Sequence, residues 1–369
     1  MNEYIWFTLS HLYINSAIKT HKMITFLFIF FYFLALSIEN AKRKSTKYFL
    51  AVFCVILAAI AGFRDVESWA DTSVYVFSFE NCTHNIENWN VADEPFGYAE
   101  YGFYFLGVIL KTFTSNSTIY LLFIAALSFF FLYKDFCRYC YYPFIGLCVY
   151  VSRFYLQRNL IQIRAGLSYA IILWAVQYIT TRDWKRYFFW VFIAYQFHTS
   201  ALIAVPLYFL CLLNLKKRHI LYGIIVAFLL GGPGSGFVKS HIADTSSDLQ
   251  IVQPYVTEDY MSKLGLLNPM IYFQLFFLWI YSKGEPVIKS LSKDYYTIRT
   301  AYFYSTFLLI SLNVYTTLSG RVSSMFATLE MAIIPMVINI AFDKKNRNVA
   351  YIGLGIGLSV IFFLNYYGH

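Results

Sequence analysis

The sequence predicts an all-α polytopic integral membrane protein with about twelve transmembrane helices, within a range of about 11–14. Three observations carry this expectation. The chain is 59% apolar and only 13% charged, where a soluble domain carries roughly 25% charged residues. The apolar excess runs over the whole length, so residues 1–369 read as a single transmembrane domain. Basic residues fall in short clusters at every second connection between apolar runs, the pattern of cytoplasmic loops.

A spanning helix needs about 20 apolar residues. Candidate spans are 23–39, 48–63, 118–134, 141–157, 161–180, 186–197, 199–214, 219–237, 268–282, 300–318, 322–342 and 349–367. Lys42, Arg43, Lys44 and Lys47 follow the first; Lys134 and Arg138 the third; Arg182, Lys185 and Arg186 the fifth. Lys216, Lys217 and Arg218 follow the seventh; Lys283, Lys289, Lys293 and Arg299 the ninth; Lys344, Lys345 and Arg347 the eleventh. Nineteen of the 29 Lys and Arg residues lie in these clusters, which puts both termini outside. The first strong apolar run begins at Met23, either the true start or the end of a short outer tail. That run meets Glu39 and a basic cluster, so no cleavable signal is expected.

Two segments decide the parity. Residues 101–113, YGFYFLGVILKTF, are too short to span comfortably and read as an interfacial or re-entrant helix. Residues 186–213 are long enough for one helix, but that would invert every later cluster. Two short helices meeting near Gln196-Phe197-His198 keep the charges in place. Such a break is tolerated at membrane depth where it is buried in protein or lines a cavity.

The outward connections are the long ones. The first occupies residues 64–117, including the short helix at 101–113, and the second residues 238–267. Residues 64–100 carry eight acids (Asp65, Glu67, Asp71, Glu80, Glu87, Asp93, Glu94 and Glu100) against Arg64 alone. Gly231-Gly232-Pro233-Gly234-Ser235-Gly236 reads as a helix end or hinge before the second loop.

The net charge of +9 invites a nucleic-acid reading, which the confinement of the charge to membrane loops excludes. Of six cysteines only Cys82 lies in a long outward loop, so no disulfide framework is implied. Cys137 and Cys140 form a lone CxxC without the second pair a zinc site needs, and no metal or cofactor is expected.

Five arginines oppose the positive-inside bias: Arg64, Arg153, Arg158, Arg164 and Arg321 lie near the outer ends of apolar segments. Cations there are costly, and guanidinium forks match phosphate and carboxylate oxygens. Arg158 and Arg164 lie in RNLIQIRAGLSYA at the opening of a helix, where free N–H groups and the dipole add to an anion site; the alternative is snorkelling to headgroups. His198, flanked by Thr199 and Ser200 at the proposed break, is either a general base or a shaper of the turn. Asp71 is suited to orient an arginine or bind a sugar hydroxyl, or is simply solvated. Arg321 opens the eleventh span with Glu330 nine residues inside it. Nine residues make about two and a half turns, so the two face apart and Glu330 needs a partner on another helix, a cavity or a proton. Arg153 lies within an otherwise apolar span and is either a ligand or a structural partner.

In order along the chain, these pieces resemble the Wzy/EpsG-type polysaccharide polymerases of bacteria. The matching pieces are Gly62-Phe63-Arg64 with Asp71-Thr72 and Tyr75; Glu100-Tyr101-Gly102-Phe103; Ile163-Arg164-Ala165-Gly166; Phe197-His198-Thr199-Ser200-Ala201; and Gly320-Arg321 with Glu330 downstream. Ala70 and Ala165 stand where many relatives have glycine and glutamine. The resemblance implies a multi-pass protein of the bacterial inner membrane with its site facing the periplasm or exterior. It implies transfer of a growing glycan from an undecaprenyl diphosphate carrier onto a lipid-linked repeat unit, making O-antigen, capsule or exopolysaccharide. Donor and acceptor glycans and membrane lipid are then the partners, with a chain-length regulator protein as a further candidate. Arg164 and His198 would be catalytic, and Arg158, Arg321, Arg64, Asp71, Glu330 and Arg153 would bind substrate. Arginines can stabilise the leaving diphosphate without a metal. Three rival readings are an O-antigen ligase, with the same donor chemistry; a lipid-linked oligosaccharide flippase or other transporter, which would carry charges at the midplane rather than at one face; and a non-catalytic membrane scaffold, which would leave the outer arginines without a common purpose.

Overall fold

The computed structural model describes residues 27–38, 46–67, 69, 71–87, 89–95, 100–248, 261–262, 264–343 and 345–367. The start of the chain, most of the first basic cluster and the middle of the 238–267 loop lie outside the described residues. The described chain is helical, with no strand and one isolated bridge between Met261 and Tyr315. Helices are the form in which an apolar segment satisfies its own backbone groups without water.

Helices α1 (Leu27–Ile38) and α2 (Thr46–Gly62) come first. Next are α3 (Thr72–Asn81), α4 (Tyr101–Phe113) and α5 (Ser117–Tyr139). A short α6 (Pro143–Tyr150) runs directly into a π-helical segment, Val151–Ile161, and then α7 (Ile163–Thr180). Helix α8 (Trp184–Tyr195) ends before Gln196-Phe197-His198; a 3-10 turn (Thr199–Ala204) leads into α9 (Val205–Leu212). Then come α10 (Lys217–Gly231), α11 (Ser235–Asp248), α12 (Pro269–Lys283), α13 (Glu285–Leu291) and α14 (Tyr295–Ser311). The last are α15 (Thr316–Ala327), α16 (Glu330–Ala341) and α17 (Arg347–Tyr367).

Among the described residues, three helices are long and apolar enough to cross a membrane: Ser117–Tyr139, Ile163–Thr180 and Arg347–Tyr366. The number rises to five when two bent pairs each count as one span: α10 with α11, at 75°, and α15 with α16, at 62°. The count of about twelve is not reached on this measure. The physical reason is length: α1, α2 and the Thr199–Leu212 stretch are apolar but hold 10–17 residues, short of the roughly 20 a straight span needs.

Helix α2 packs along α5, α7 lies between α5 and α8, α16 lies on α6, and α14 lies against α10 and α15. Leu167, Ile172, Leu173, Ala175 and Val176 of α7 are all fully buried, so α7 is a central post. A second, smaller apolar cluster joins α3 and α4 to α5 through Tyr75, Phe79, Phe103, Val108 and Tyr120. Phe79 stacks on Tyr120 at 4.4 Å. The acidic segment after α2 is thereby tied down beside the opening of α7, since Ile163 belongs to the same cluster.

Candidate functional site

The π-helical segment VSRFYLQRNLI organises the site. In an α-helix, residues five apart are separated by about 1.4 turns and face apart. Bonding from i to i+5 widens the turn, so residues five apart lie above one another. Arg153 and Arg158 are five apart, and both line a cavity of about 430 Å³. Gln157 and Gln162 line it from the same segment, Asn268 and Gln274 from the start of α12, and Arg321 with Ser319, Ser323 and Ser324 from α15. Three arginines, Arg153, Arg158 and Arg321, therefore line one cavity.

Several contacts hold this unusual winding. The Gln162 N–H donates to Gln157 O at 2.8 Å, the i–5 bond that closes it. Arg64 donates through Nε to Thr72 Oγ1 at 3.0 Å and through Nη1 to Ala61 O at 2.7 Å and Asn159 O at 3.2 Å. Thr72 Oγ1 in turn donates to Leu160 O at 3.3 Å. The Tyr150 hydroxyl donates to Asn159 Oδ1 at 2.7 Å, and Asn365 Nδ2 to Ser152 O at 2.9 Å. Helix α7 must pass very close, since a Cβ at Gly166 would lie 2.0 Å from Arg158 O. Glycine at 166 is the condition for that approach.

The arginines differ in their surroundings. Arg153 is paired: its Nε and Nη2 donate to Glu330 Oε2 and Oε1 at 2.8 and 3.2 Å. The Tyr302 hydroxyl donates to the same carboxylate at 3.1 Å, and Glu330 is fully buried. Glu330 stands at the start of α16, beyond the bend, and its partner lies on another helix. Arg158 is 4% exposed and lies 4.1 Å over the Tyr169 ring. Its Nη2 has no hydrogen-bond partner, and no carboxylate pairs with it among the described residues. The Tyr169 hydroxyl donates to Arg321 O at 3.2 Å, so one tyrosine links the two arginines.

Arg164, two residues beyond Gln162, does not line this cavity and joins a separate cluster. Its Nη1 donates to Glu100 Oε2 at 2.5 Å, and its guanidinium lies 5.4 Å from the Tyr75 ring and 6.0 Å from Phe103. Burial raises the Glu100 carboxyl above its ordinary value, and Arg164 together with the Thr199 backbone N–H offsets only part of that. The backbone N–H groups of Gly102 and Phe103 donate to Gln196 O at 2.9 and 3.1 Å. A Cβ at Gly102 would sit 2.5 Å from Gln196 Cβ, so this docking needs glycine. Four of the quoted sequence pieces thus meet around the α8 break.

His198 caps the 3-10 turn at that break. Its Nδ1 lies 2.6 Å from Ser200 Oγ and 3.2 Å from the Ser200 backbone N. Burial first, and then the positive charges of Arg164, Arg321 and Arg158, push its imidazole down to about 3, so it is neutral at pH 7.

Of the expected site residues, Arg164, His198, Glu330, Arg64 and Asp71 do not line the cavity. Arg64 is committed to the π-helical segment and does not line the cavity; burial pushes it down to about 10, against nearby tyrosines Tyr155, Tyr75 and Tyr120. Asp71 sits at the N-cap of α3, makes no side-chain cap bond and also lies off the cavity. Sequence reasoning did not single out Asn268, Gln274, Tyr169 and Tyr302, which carry no motif. Glu100 stood in the Glu100–Phe103 piece, but nothing separated it from the other acids of its loop. Among the described residues no three His, Cys, Asp or Glu side chains gather into a metal-ligand group.

Against this geometry, the model of the EpsG family matches residues 47–369. No curated protein and no solved structure matches the chain.

Proposed function

Because the chain belongs to the EpsG family, we propose that it is a membrane glycosyltransferase that polymerises lipid-diphosphate-linked oligosaccharides into a surface polysaccharide. The reading takes about twelve spans and a site at the outer face of a bacterial inner membrane. One observation carries the site assignment: Arg158 is buried and lines the cavity with Arg321, with a donor left over and no carboxylate among the described residues to answer its charge. A buried cation is costly unless paired, and an anionic ligand is the missing partner.

Arg158 and Arg321 hold the diphosphate of an undecaprenyl diphosphate donor. Arg153, neutralised by Glu330, shapes the wall and offers less net charge. Arg164, set by Glu100, lies toward the acceptor side, where the loop of Tyr75 and Phe103 meets the sugar. Arg64 and Asp71 serve by holding the loop and the π-helical segment.

The acceptor hydroxyl oxygen attacks the anomeric carbon of the donor sugar. The bond from that carbon to the phosphate oxygen breaks, and the diphosphate leaves on its lipid with the bonding pair. Preorganised guanidinium groups stabilise the charge that develops there. The hydroxyl proton passes to His198 Nε2. This requires Nδ1–H to donate to Ser200 Oγ, at 2.6 Å, in place of the capping bond from the Ser200 N–H, and a bound diphosphate to offset the arginine charge that holds the imidazole down. The opposite tautomer, with Nδ1 accepting from the Ser200 N–H, would make Nε2 a donor instead.

The test is purified full-length protein supplied with lipid-linked repeat units, with products resolved by length. A ladder of products supports polymerisation. A single transfer onto a lipid A core acceptor means ligase, and transbilayer movement without new glycosidic bonds means flippase; either outcome overturns the reading.

A further inference from the structure

A second charged cavity lies at the other end of the same helices. It encloses about 750 Å³ between the end of α7, the α9–α10 turn, the start of α13 and the start of α14. Helix α7 begins at the arginine cavity and ends at this one; α14 runs between them in the opposite sense, from Tyr296 and Thr297 here to Leu309 there. At about 1.5 Å per residue, the path from Gln162 to Ile179 along α7 is roughly 25 Å and that from Thr297 to Leu309 along α14 roughly 18 Å, against about 30 Å for a hydrocarbon core.

Five cations line this cavity, Arg182, Lys216, Lys217, Lys293 and Arg299, against the single carboxylate of Glu285. Glu285 is shared by Arg299 at 3.3 Å and Lys217 at 3.5 Å. Burial acts to raise its pKa, but the Tyr296 hydroxyl, Arg299 and Lys217 outweigh that and hold the carboxyl below its ordinary value. Arg182, Lys216 and Lys293 have no carboxylate within ion-pair distance among the described residues.

The base of the cavity is built, not merely charged. Arg299 is 2% exposed; its Nη2 donates to Leu215 O at 2.5 Å, and its buried Nε has no partner. Arg182 and Asn214 have φ of 58° and 47°, the two positive values among non-glycine residues in the described chain. Both line this cavity, and Arg182 Nη2 donates to Asn214 Oδ1 at 3.0 Å. Both stand just past a helix end, α7 and α9, in the left-handed position that commonly closes one, so two helix ends meet at this cavity.

We propose that this cavity binds a phosphate-bearing anion at the face opposite the arginine site. The buried Arg299 reads the phosphate, and the exposed lysines at the rim supply long-range attraction. Tyr296, which lines it, is exposed, and so are Leu212 and Leu213, next in sequence to the lining Cys211 and Asn214, and Val287, two residues beyond Glu285. They fit the acyl chains of an anionic phospholipid, while free phosphate offers the same headgroup chemistry.

The experiment is native mass spectrometry of the full-length protein in detergent, incubated with phosphatidylglycerol or phosphatidylcholine, with and without inorganic phosphate. Wild type should retain phosphatidylglycerol over phosphatidylcholine. Retention should fall about fivefold for each rim lysine removed, through K216Q, K217Q and K293Q. These lysines are exposed, so their removal spares the fold. Phosphate binding or competition that the triple variant abolishes identifies free phosphate as a source and supports the same site. Equal retention of the two lipids with no phosphate binding, or a triple variant that binds like wild type, overturns the proposal. The readout is binding alone, so it is independent of polymerisation.

Discussion

Arg153 and Glu330 join the π-helical segment to the start of α16 through two hydrogen bonds of 2.8 and 3.2 Å, with Glu330 wholly buried. Removing one partner strands the other charge. Glu330→Ala or Arg153→Ala should destabilise by about 3–5 kcal/mol, while the double change to Met at both positions should cost far less than the sum. Thermal unfolding of the detergent-purified variants measures both singles and the double. Additive losses would mean the pair is not coupled.

Gly166 and Gly320 make a contrasting pair. A methyl at 166 meets Arg158 O at 2.0 Å, whereas one at 320 meets nothing within 4 Å. Gly166→Ala should therefore cost about 1–3 kcal/mol and displace Arg158. Gly320→Ala should leave the unfolding temperature unchanged. The same thermal scan checks both.

The first long loop is fastened by Glu100 to Arg164 and by the Gly102 and Phe103 N–H groups to Gln196 O. Gly102→Ala and Glu100→Gln should each expose residues 64–100 to faster cleavage in limited proteolysis. Arg164→Ala combined with Glu100→Gln should be no worse than Arg164→Ala alone, since both remove one contact. Unchanged cleavage in Gly102→Ala would show that the loop is held elsewhere.

Ser200 distinguishes the two tautomers of His198. With Ser200→Ala the Oγ acceptor is lost and the Ser200 backbone N–H remains. That favours the tautomer protonated at Nε2 and should lower the polymerisation rate about fivefold, the worth of one hydrogen bond. His198→Ala should lower it about a hundredfold. A Ser200→Ala rate equal to wild type at every pH would leave His198 as a shaper of the turn.

Much of the helical character was legible because hydrophobicity alone decides it. Ser117–Tyr139 and Arg347–Tyr366 are apolar along their length, and nothing in them competes with a helix. The helix end among Gly231–Gly236 was legible from its glycines and proline. The winding of Val151–Ile161 was not, because its residues are ordinary helix residues and the extra residue per turn is imposed by Arg64, Thr72 and Gly166 from outside. The Glu330 partner was legible in kind but not in identity: the need for a partner follows from burial, while the choice of Arg153, 177 residues away, is made by packing. Arg64 and Arg158 looked alike in sequence. They separate only when carbonyl groups claim the first and leave the second facing a cavity.

The central claim is that Arg158 reads the diphosphate of the donor. The most direct measurement is the affinity of purified full-length protein for undecaprenyl diphosphate, comparing wild type with Arg158→Gln and Arg158→Lys. Loss of a charged hydrogen bond should weaken binding by about 2 kcal/mol, roughly thirtyfold, in Arg158→Gln. Arg158→Lys should recover only part of it, because a point charge lacks the fork. Equal affinity for wild type and Arg158→Gln would contradict the claim.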